Sequence, residues 1–369
     1  MYINIRDKKV HQAVKDLVSI CRFAGMTTSR YAEIQYNREQ GVYVTCIGRF
    51  KEWFDGLHHY PSLKPRPGEA VVTLPEQALV PVTPSCFFVL KNFNDQYELV
   101  IDHGKVGELT STQIIILDRW VKLINATNAF DEFFRTSVHS WPEPQSWLGE
   151  RWLVDHTVLE TRMVRAFLNT RVITADSGTE FVMPILDLFN HSHKNTQGFK
   201  ETEAPKQLSV LWDNDVSPGK QAFVRYGFYD TVDLYVNYNY FCETEFVMSQ
   251  AVMIRDGETI IEIGNGNGQT ILPEATYTNK TIHVPYLVIC STKQVGLTLS
   301  QLRHATGRKD VQKLYASLLT ANIKAWKELK ERCSENVFMT AERVKTAAFT
   351  KLCDLQIMKL QKLQNKMYL

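Results

Sequence analysis

Residues 184–192 read PILDLFNHS, and this stretch, together with two segments that follow it, decides the fold that we expect. The second segment, PGKQAFVRYG, occupies residues 218–227, and the third, DLYVNYNYF, occupies residues 233–241. An Asn-His pair or a Tyr-Gly pair is common when it stands alone. Short motifs become specific when several of them occur in a fixed order and spacing, as these three segments do.

The apolar pattern before and around these segments predicts an α+β protein. Residues 6–24 carry one apolar helical stripe, and residues 31–47 and 70–74 have the composition of strands. A helical pattern then fills residues 111–171, and strand-like segments return between residues 181 and 226. A mainly β region is therefore split by a helical insertion.

The character of the chain changes after about residue 245. Residues 249–292 alternate between apolar and polar side chains and predict hairpins, whereas 308–334 and 340–367 predict two long amphipathic helices. We expect four segments: an N-terminal helix and strand region at 1–110, the helical insertion at 111–175, a core at 176–245 and a C-terminal lobe at 246–369.

The composition indicates a globular protein with a core of normal size, since 44% of the residues are hydrophobic and 22% are charged. The net charge of +2 gives no support for a nucleic-acid or membrane partner. The seven cysteines are scattered, which argues against a disulfide framework and a cysteine zinc cluster, so no metal is expected. The N-terminus lacks a secretory pattern, so we expect a cytoplasmic protein, while a nuclear or exported destination stays open.

Taken together, the three segments resemble the D-x-x-N-H element, the G-x-x-x-x-x-x-Y-G strand end and the closing aromatic segment of SET-domain protein methyltransferases. NREQGVYV at 37–44 resembles the first glycine turn of that family, and PGEAVVTLP at 67–75 resembles its following strand. The helical insertion and the C-terminal lobe resemble the Rubisco large-subunit methyltransferase-like branch. The resemblance implies a SET-domain β-fold with a knot-like threading, split by a helical insertion and followed by a mainly helical lobe.

The resemblance also implies a methyl donor, S-adenosyl-L-methionine (SAM), with S-adenosyl-L-homocysteine as its product. Tyr226 is the implied catalytic residue, placed where the methyl group meets the target nitrogen. Tyr240 is implied to pack near the adenine of the donor, and Arg171 and Asp187 match positions near its amino-acid portion. The implied cofactor-binding positions are Gln40, Arg171, Asp187, Asn190, His191, Tyr226 and Tyr240.

Two further positions are implied for the substrate: Tyr238 lining the target channel and Ile173 on the wall of the target pocket. A lysine in solution is protonated, with a pKa of about 10.4. A narrow aromatic channel would remove water from the ammonium group and favour the neutral amine that methyl transfer requires. We therefore expect a protein N-methyltransferase that acts on a lysine of a non-histone protein.

Two alternatives remain open. A related branch of the family modifies histidine in actin, where a polar residue tends to occupy the position of Ile173; an apolar wall suits a lysine stem better. The second alternative is a catalytically silent SET-fold binding module, motivated by departures from the family pattern at Arg38, Asn239 and Tyr229. As partner we expect a protein substrate docked on the SET channel and the C-terminal lobe of a monomer.

A glycine-rich stretch, IIEIGNGNG at 260–268, resembles the SAM-binding loop of Rossmann-type methyltransferases. That loop must be followed by a helix whose N-terminus receives the cofactor. Here the following residues up to Ile289 are rich in β-branched side chains and predict a second strand. We therefore interpret residues 264–268 as a hairpin turn rather than a cofactor loop.

Overall fold

The structure is a computed structural model. It describes residues 1–47, 65–82, 87–140, 164, 167–168, 170–174, 180–192, 199–203, 206–214, 216–224, 230–238, 244, 246–264, 272–290, 295–335 and 340–367. The chain divides into two compact units, of which the first comprises Met1–Thr136 with Thr157–Tyr226. The second comprises Ser137–His156 with Gly227–Leu369. The four-segment division expected from the sequence stays a prediction.

The first unit begins with strand β1 (Tyr2–Asn4) and helix α1 (Lys8–Phe23). The helix forms because Asp7 caps its N-terminus, accepting a hydrogen bond from the Val10 amide at 3.0 Å. It ends before Gly25, whose φ of +94° suits a residue without a side chain. The buried stripe of α1 has helical spacing and consists of Val10, Val14, Leu17, Val18 and Cys21.

The helical insertion supplies α2 (Ser111–Ala126) and α3 (Ala129–Ser140). A capping box between Thr110 and Gln113 begins α2. The buried residues of α2 are Ile116, Leu117, Trp120, Val121, Leu123 and Ile124. Because these apolar residues lie on one face, the helix packs that face against α1 and the neighbouring strands.

The strands of the first unit form small sheets. After β1, the strands in chain order are β2 (Thr27–Thr28), β3 (Ala32–Asn37), β4 (Gly41–Cys46), β5 (Ala70–Pro75), β6 (Val80–Val82), β7 (Phe88–Phe93), β8 (Gln96–Ile101), β9 (Val172–Thr174), β10 (Glu180–Val182), β11 (Asn190–His191), β12 (Lys200–Glu203), β13 (Lys206–Leu211) and β14 (Phe223–Val224). The sheet orders are β1-β3-β4, β12-β13-β5-β2, β6-β10-β9, β7-β8 and β11-β14.

In its described residues, the second unit contains helix α4 (Thr231–Tyr238), two sheets and three later helices. Its strands are β15 (Phe246–Met248), β16 (Val252–Asp256), β17 (Thr259–Ile263), β18 (Thr276–Thr278), β19 (Thr281–Val284) and β20 (Val288–Cys290), in the orders β15-β20 and β16-β17-β19-β18. The later helices are α5 (Val295–Thr306), α6 (Gln312–Glu335) and α7 (Thr340–Met367). One buried apolar cluster joins the β16–β19 sheet to these helices, and fully buried Trp326 belongs to it.

The predicted α+β class is confirmed, as are the helical insertion and the two long C-terminal helices. Two expectations were incomplete or wrong. Helix α5 was not expected, and β17 does not form a hairpin with β18, because β17 pairs with β16 and, in parallel, with β19. Within the described ranges, every helix is too short or too polar to span a bilayer.

Candidate functional site

Backbone hydrogen bonds bring three of the motif segments, 37–44, 184–192 and 218–227, together in the first unit. Strand β11 runs parallel to β14, with Asn190 opposite Phe223, and the Ser192 amide donates to the Val224 carbonyl at 3.1 Å. Just before β14, the chain pairs with the end of β4, where the Ala222 amide donates to the Val44 carbonyl at 2.8 Å. Segments far apart in sequence therefore meet at one point of the unit.

Just before β11 in the sequence, the buried Asp187 side chain forms an ion pair with Arg171. Asp187 belongs to a short 3-10 helix, Leu186–Leu188, that leads directly into β11. The Asp187 carboxylate accepts a hydrogen bond from Arg171 Nη1 on its Oδ1 atom at 3.0 Å, and its side chain is only 4% exposed. The Arg171 backbone is held by its own turn, since its amide donates to the Leu168 carbonyl at 2.7 Å. The two side chains thus form one hydrogen-bonded ion pair, and the turn defines the backbone of Arg171.

Two aromatic side chains complete the surroundings of the pair. The Trp120 indole Nε1 donates to the second carboxylate oxygen of Asp187, Oδ2, at 3.3 Å. The Arg171 guanidinium lies over the Phe167 ring, 4.5 Å from its centroid, which is a cation–π geometry. The sequence did not single out Trp120 for this role, because its position in an apolar helical stripe predicted an ordinary core residue.

The guanidinium of Arg171 keeps donors that Asp187 does not use. Its Nε atom is buried and has no hydrogen-bond partner among the described residues, while the side chain as a whole is 26% exposed. A guanidinium has five N–H donors in a planar fork that matches a carboxylate. The arrangement can therefore bind a second anionic group beside Asp187.

The charge state of Asp187 reflects competing effects. Burial raises the pKa of the Asp187 carboxyl, while the positive charge of Arg171 and the hydrogen bonds from Arg171 and Trp120 lower it. The net direction is upward, so removal from water outweighs the paired cation. Keeping this carboxylate ionised in the folded protein consequently costs stability.

Gln40 lies at the tip of the β3–β4 hairpin and is exposed. Its amide donates to Asn37 Oδ1 at 2.7 Å, and its side-chain oxygen accepts from Asn37 Nδ2 at 3.3 Å. Gly41, which follows, has a φ of +70°, as a tight hairpin turn requires. Gln40 therefore lies at the opposite end of β4 from the residues that pair with the 219–222 segment, and its predicted backbone contact with a cofactor stays a prediction.

The remaining predicted positions fall into two groups. Tyr226 and Tyr240 lie outside the described residues. For Ile173, His191 and Tyr238 the backbone is described: Ile173 pairs with Phe181 in the β9–β10 ladder, His191 pairs with Val224, and Tyr238 ends helix α4. The roles predicted for these five residues stay predictions.

Helix α4, in the second unit, is fixed by a buried carboxylate that the sequence did not single out. Fully buried Asp230 accepts hydrogen bonds on Oδ1 from the amides of Val232 and Asp233, each at 2.9 Å. Its Oδ2 accepts from the Met248 amide of β15, also at 2.9 Å. Asp230 thus caps the helix and ties it to a strand.

The first glycine of the glycine-rich stretch, Gly264, packs too closely against its neighbours to be replaced. A Cβ atom on Gly264 would lie 2.5 Å from the Pro285 carbonyl oxygen, so a side chain does not fit there. Residues 265–268 lie outside the described residues. The next described element is strand β18 rather than a helix, which argues against a Rossmann-type cofactor loop.

No protein-family model matches the chain, and no curated protein matches it. Among solved structures, the SET domain of LSMT bound to lysine and AdoHcy is 11% identical, with a TM-score of 0.43 over 97% of this chain and 91% of that chain. The same domain bound to methyllysine and AdoHcy has 11% identity and a TM-score of 0.45, over 96% and 91% of the two chains. Rubisco LSMT bound to AdoMet has 11% identity and a TM-score of 0.44, with the same coverage.

The chain is thus similar in structure to Rubisco LSMT over nearly its whole length. At 11% identity and TM-scores below 0.5, this likeness does not assign a function. The case for one rests on the motif residues and on the geometry around Arg171.

Proposed function

We propose that this chain is a SAM-dependent protein N-methyltransferase with a SET domain, and that its target is a lysine of a non-histone protein. The observation that supports this most is the Arg171 guanidinium, held by buried Asp187 and retaining unused donors. Asp187 stands just before the Asn190–His191 strand, which runs parallel to β14, the strand that precedes Tyr226 in the chain. A monomeric state and a cytoplasmic location complete the proposal.

The residues present fit the amino-acid end of SAM. That end carries a carboxylate, and the buried Arg171 Nε lacks an acceptor that a carboxylate oxygen would provide. Because a buried unpaired donor costs about 1–3 kcal/mol, an anionic ligand at this position is favoured. Asn190 and His191 would add hydrogen bonds at the same binding site, as the resemblance implies. When bound, SAM supplies a methyl group on a positively charged sulfur.

The chain's own residues would then act by positioning. Tyr226 would orient the target nitrogen with its hydroxyl, and Tyr238 would line the channel that excludes water from the lysine stem. Removing water disfavours the ammonium form, so the amine can lose its proton before transfer. Most of the rate would come from alignment and electrostatics rather than from a covalent intermediate on the protein.

Ile173 supports lysine rather than histidine as the proposed target, since the sequence resemblance implies this residue for the wall of the target pocket. An apolar side chain contacts an aliphatic stem favourably, whereas an imidazole needs hydrogen-bond partners. Mass spectrometry of a protein methylated by the recombinant enzyme tests this choice. Methylation found only on histidine would overturn the lysine assignment while leaving the methyltransferase in place.

Calorimetric titration with SAM tests donor binding itself. We expect Arg171→Gln to weaken SAM binding about hundredfold, because a charged hydrogen-bonded partner is lost. Arg135→Gln is the matched control, since Arg135 forms a comparable pair with Asp131 on α3 at 2.9 Å. Wild-type binding with no turnover in Tyr226→Phe supports the enzyme. No binding of SAM at millimolar concentration would instead favour the silent binding module.

A further inference from the structure

We infer that Trp120 is a positioning residue for methyl-donor binding: its indole N–H fixes the plane of the Asp187 carboxylate and thereby aims the Arg171 guanidinium. The inference rests on the proposed function and extends the binding site to the helical insertion, since Trp120 lies on α2. It assigns to a buried core tryptophan a role in ligand affinity.

The two oxygens of Asp187 are held separately. Oδ1 accepts from Arg171 Nη1 at 3.0 Å, and Oδ2 accepts from Trp120 Nε1 at 3.3 Å. The last torsion of an aspartate is broad, so a single hydrogen bond does not determine the orientation of the carboxylate plane. A second donor on the other oxygen determines the orientation of this plane, and the guanidinium can then keep one orientation relative to the carboxylate.

The helix that carries Trp120 is anchored on both sides of it. Near the start of α2, Gln113 Nε2 donates to the Leu79 carbonyl at 2.9 Å. Near its end, the side chain of Asn125 bonds to the backbone of Leu99. Its Oδ1 accepts from the Leu99 amide at 3.1 Å, and its Nδ2 donates to the Leu99 carbonyl at 2.9 Å. These bonds, to Leu79 just before β6 and to Leu99 of β8, hold α2, so the indole reaches Asp187 from a fixed position.

Other tryptophans in the chain show that burial alone does not require this arrangement. Trp326 is fully buried, and within the part of the chain that the structure describes its Nε1 atom has no hydrogen-bond partner. Trp212 is also buried, and its Nε1 donates to the neutral Ser29 hydroxyl at 3.4 Å. Among these three, Trp120 is the one that donates to a carboxylate, and that carboxylate holds the cation proposed to bind the donor.

The test measures the dissociation constant for SAM by calorimetry in Trp120→Phe, which keeps an aromatic ring and loses the N–H. We expect binding to weaken about tenfold, the value of one hydrogen bond to a charged group. In turnover assays the KM for SAM should rise while kcat at saturating SAM stays near the wild-type value. Trp212→Phe is the matched control, because it also removes one indole hydrogen bond in the first unit. Its dissociation constant for SAM should equal that of the wild type.

Two further measurements keep the inference testable. Replacement of Trp120 by benzothienylalanine preserves the ring shape and removes only the donor, so it covers the case in which Trp120→Phe folds poorly. In an Asp187→Ala background, Trp120→Phe should have no further effect on SAM binding, because its acceptor is gone. An unchanged dissociation constant in the benzothienylalanine protein overturns the inference and leaves the proposed function standing. Failure of the wild-type protein to bind SAM removes both.

Discussion

Replacing Asp230 should destabilise the second unit far more than an ordinary helix cap would. Asp230→Ala removes the acceptor of three backbone amides, those of Val232, Asp233 and Met248, each bonded at 2.9 Å. All three amides belong to fully buried residues, so water cannot readily replace the lost carboxylate. The change therefore combines the loss of a cap with a broken link to β15.

The magnitude follows from these contacts. Loss of an N-cap costs about 1–2 kcal/mol, and a buried amide left without a partner adds about 1–3 kcal/mol. Relief from burying the carboxylate offsets part of this, so we expect a net loss of about 3 kcal/mol. Asp7→Ala is the comparison, because Asp7 is an exposed cap with one bond, to the Val10 amide, and its loss should cost about 1 kcal/mol.

Hydrogen-exchange mass spectrometry can measure both losses within one protein. For Asp230→Ala, exchange should accelerate on the order of hundredfold in peptides covering Thr231–Tyr238 and Phe246–Met248. Asp230→Asn keeps one acceptor oxygen and should lie between that variant and the wild type. Acceleration no greater than Asp7→Ala produces around Val10 would refute the reasoning, since Asp230 would then act only as a cap.

Three further outcomes follow from individual contacts. Because burial raises the pKa of Asp187 above its unfolded value, ionising this carboxylate costs stability that is recovered as pH falls through the wild-type pKa. The unfolding temperature of the wild type relative to Asp187→Asn should therefore rise as pH falls through that pKa, and Asp187→Asn should weaken SAM binding at neutral pH. Gly264→Ala should cost about 1–3 kcal/mol in urea unfolding, because its Cβ would collide with the Pro285 carbonyl. For Asp131, burial raises the pKa but hydrogen bonds from Arg135 and the Tyr97 amide, with the Arg135 charge, lower it overall. Asp131→Asn should therefore lower stability at neutral pH by an amount that disappears as the wild-type protein is acidified through that lowered pKa.

Regular helices could be predicted from sequence where one apolar face meets the core. The stripe of α1 and the long helices α6 and α7 follow this pattern. Helix α5 was missed because its buried face is partly polar. Thr298 Oγ1 accepts from the Cys290 amide at 2.9 Å, and Gln301 Oε1 accepts from the Val288 amide at 2.9 Å. Apolar periodicity predicts that such polar residues are exposed, although their side-chain oxygens accept tertiary hydrogen bonds in the interior.

Strand order could be predicted less well than strand position. The alternating stretch between residues 249 and 292 forms the hairpins β16–β17 and β18–β19, but β17 also pairs in parallel with β19 rather than with β18, the next strand in the chain. Local alternation identifies a strand without identifying its partner, since pairing depends on the path of the connecting segment. The need for glycine at position 264 could likewise not be predicted locally, because it arises from contact with Pro285, a residue distant in sequence.

For the candidate site, the motifs identified residues but not their supports. Arg171 and Asp187 were predicted near the same end of a cofactor, and the structure places them in contact. Trp120 and Asp230 were not predicted, because a tryptophan in an apolar stripe and an aspartate before a helix each have an ordinary structural explanation. Their long-range hydrogen bonds are visible only in the structure: Trp120 bonds to Asp187, and Asp230 bonds to Met248.

The hydrogen-bond network around Arg171 and the network around Asp230 share no residue, so their contributions can be measured separately. Trp120, Asp187 and Arg171 belong to the first unit, whereas Asp230 and the helix that ends at Tyr238 belong to the second. Because effects at sites without shared partners add, Trp120→Phe should change the SAM dissociation constant without changing exchange in α4. Asp230→Asn should do the reverse, and the double variant should show both effects unchanged in size. A departure from additivity larger than about 0.5 kcal/mol would contradict this independence and show that the two networks are coupled.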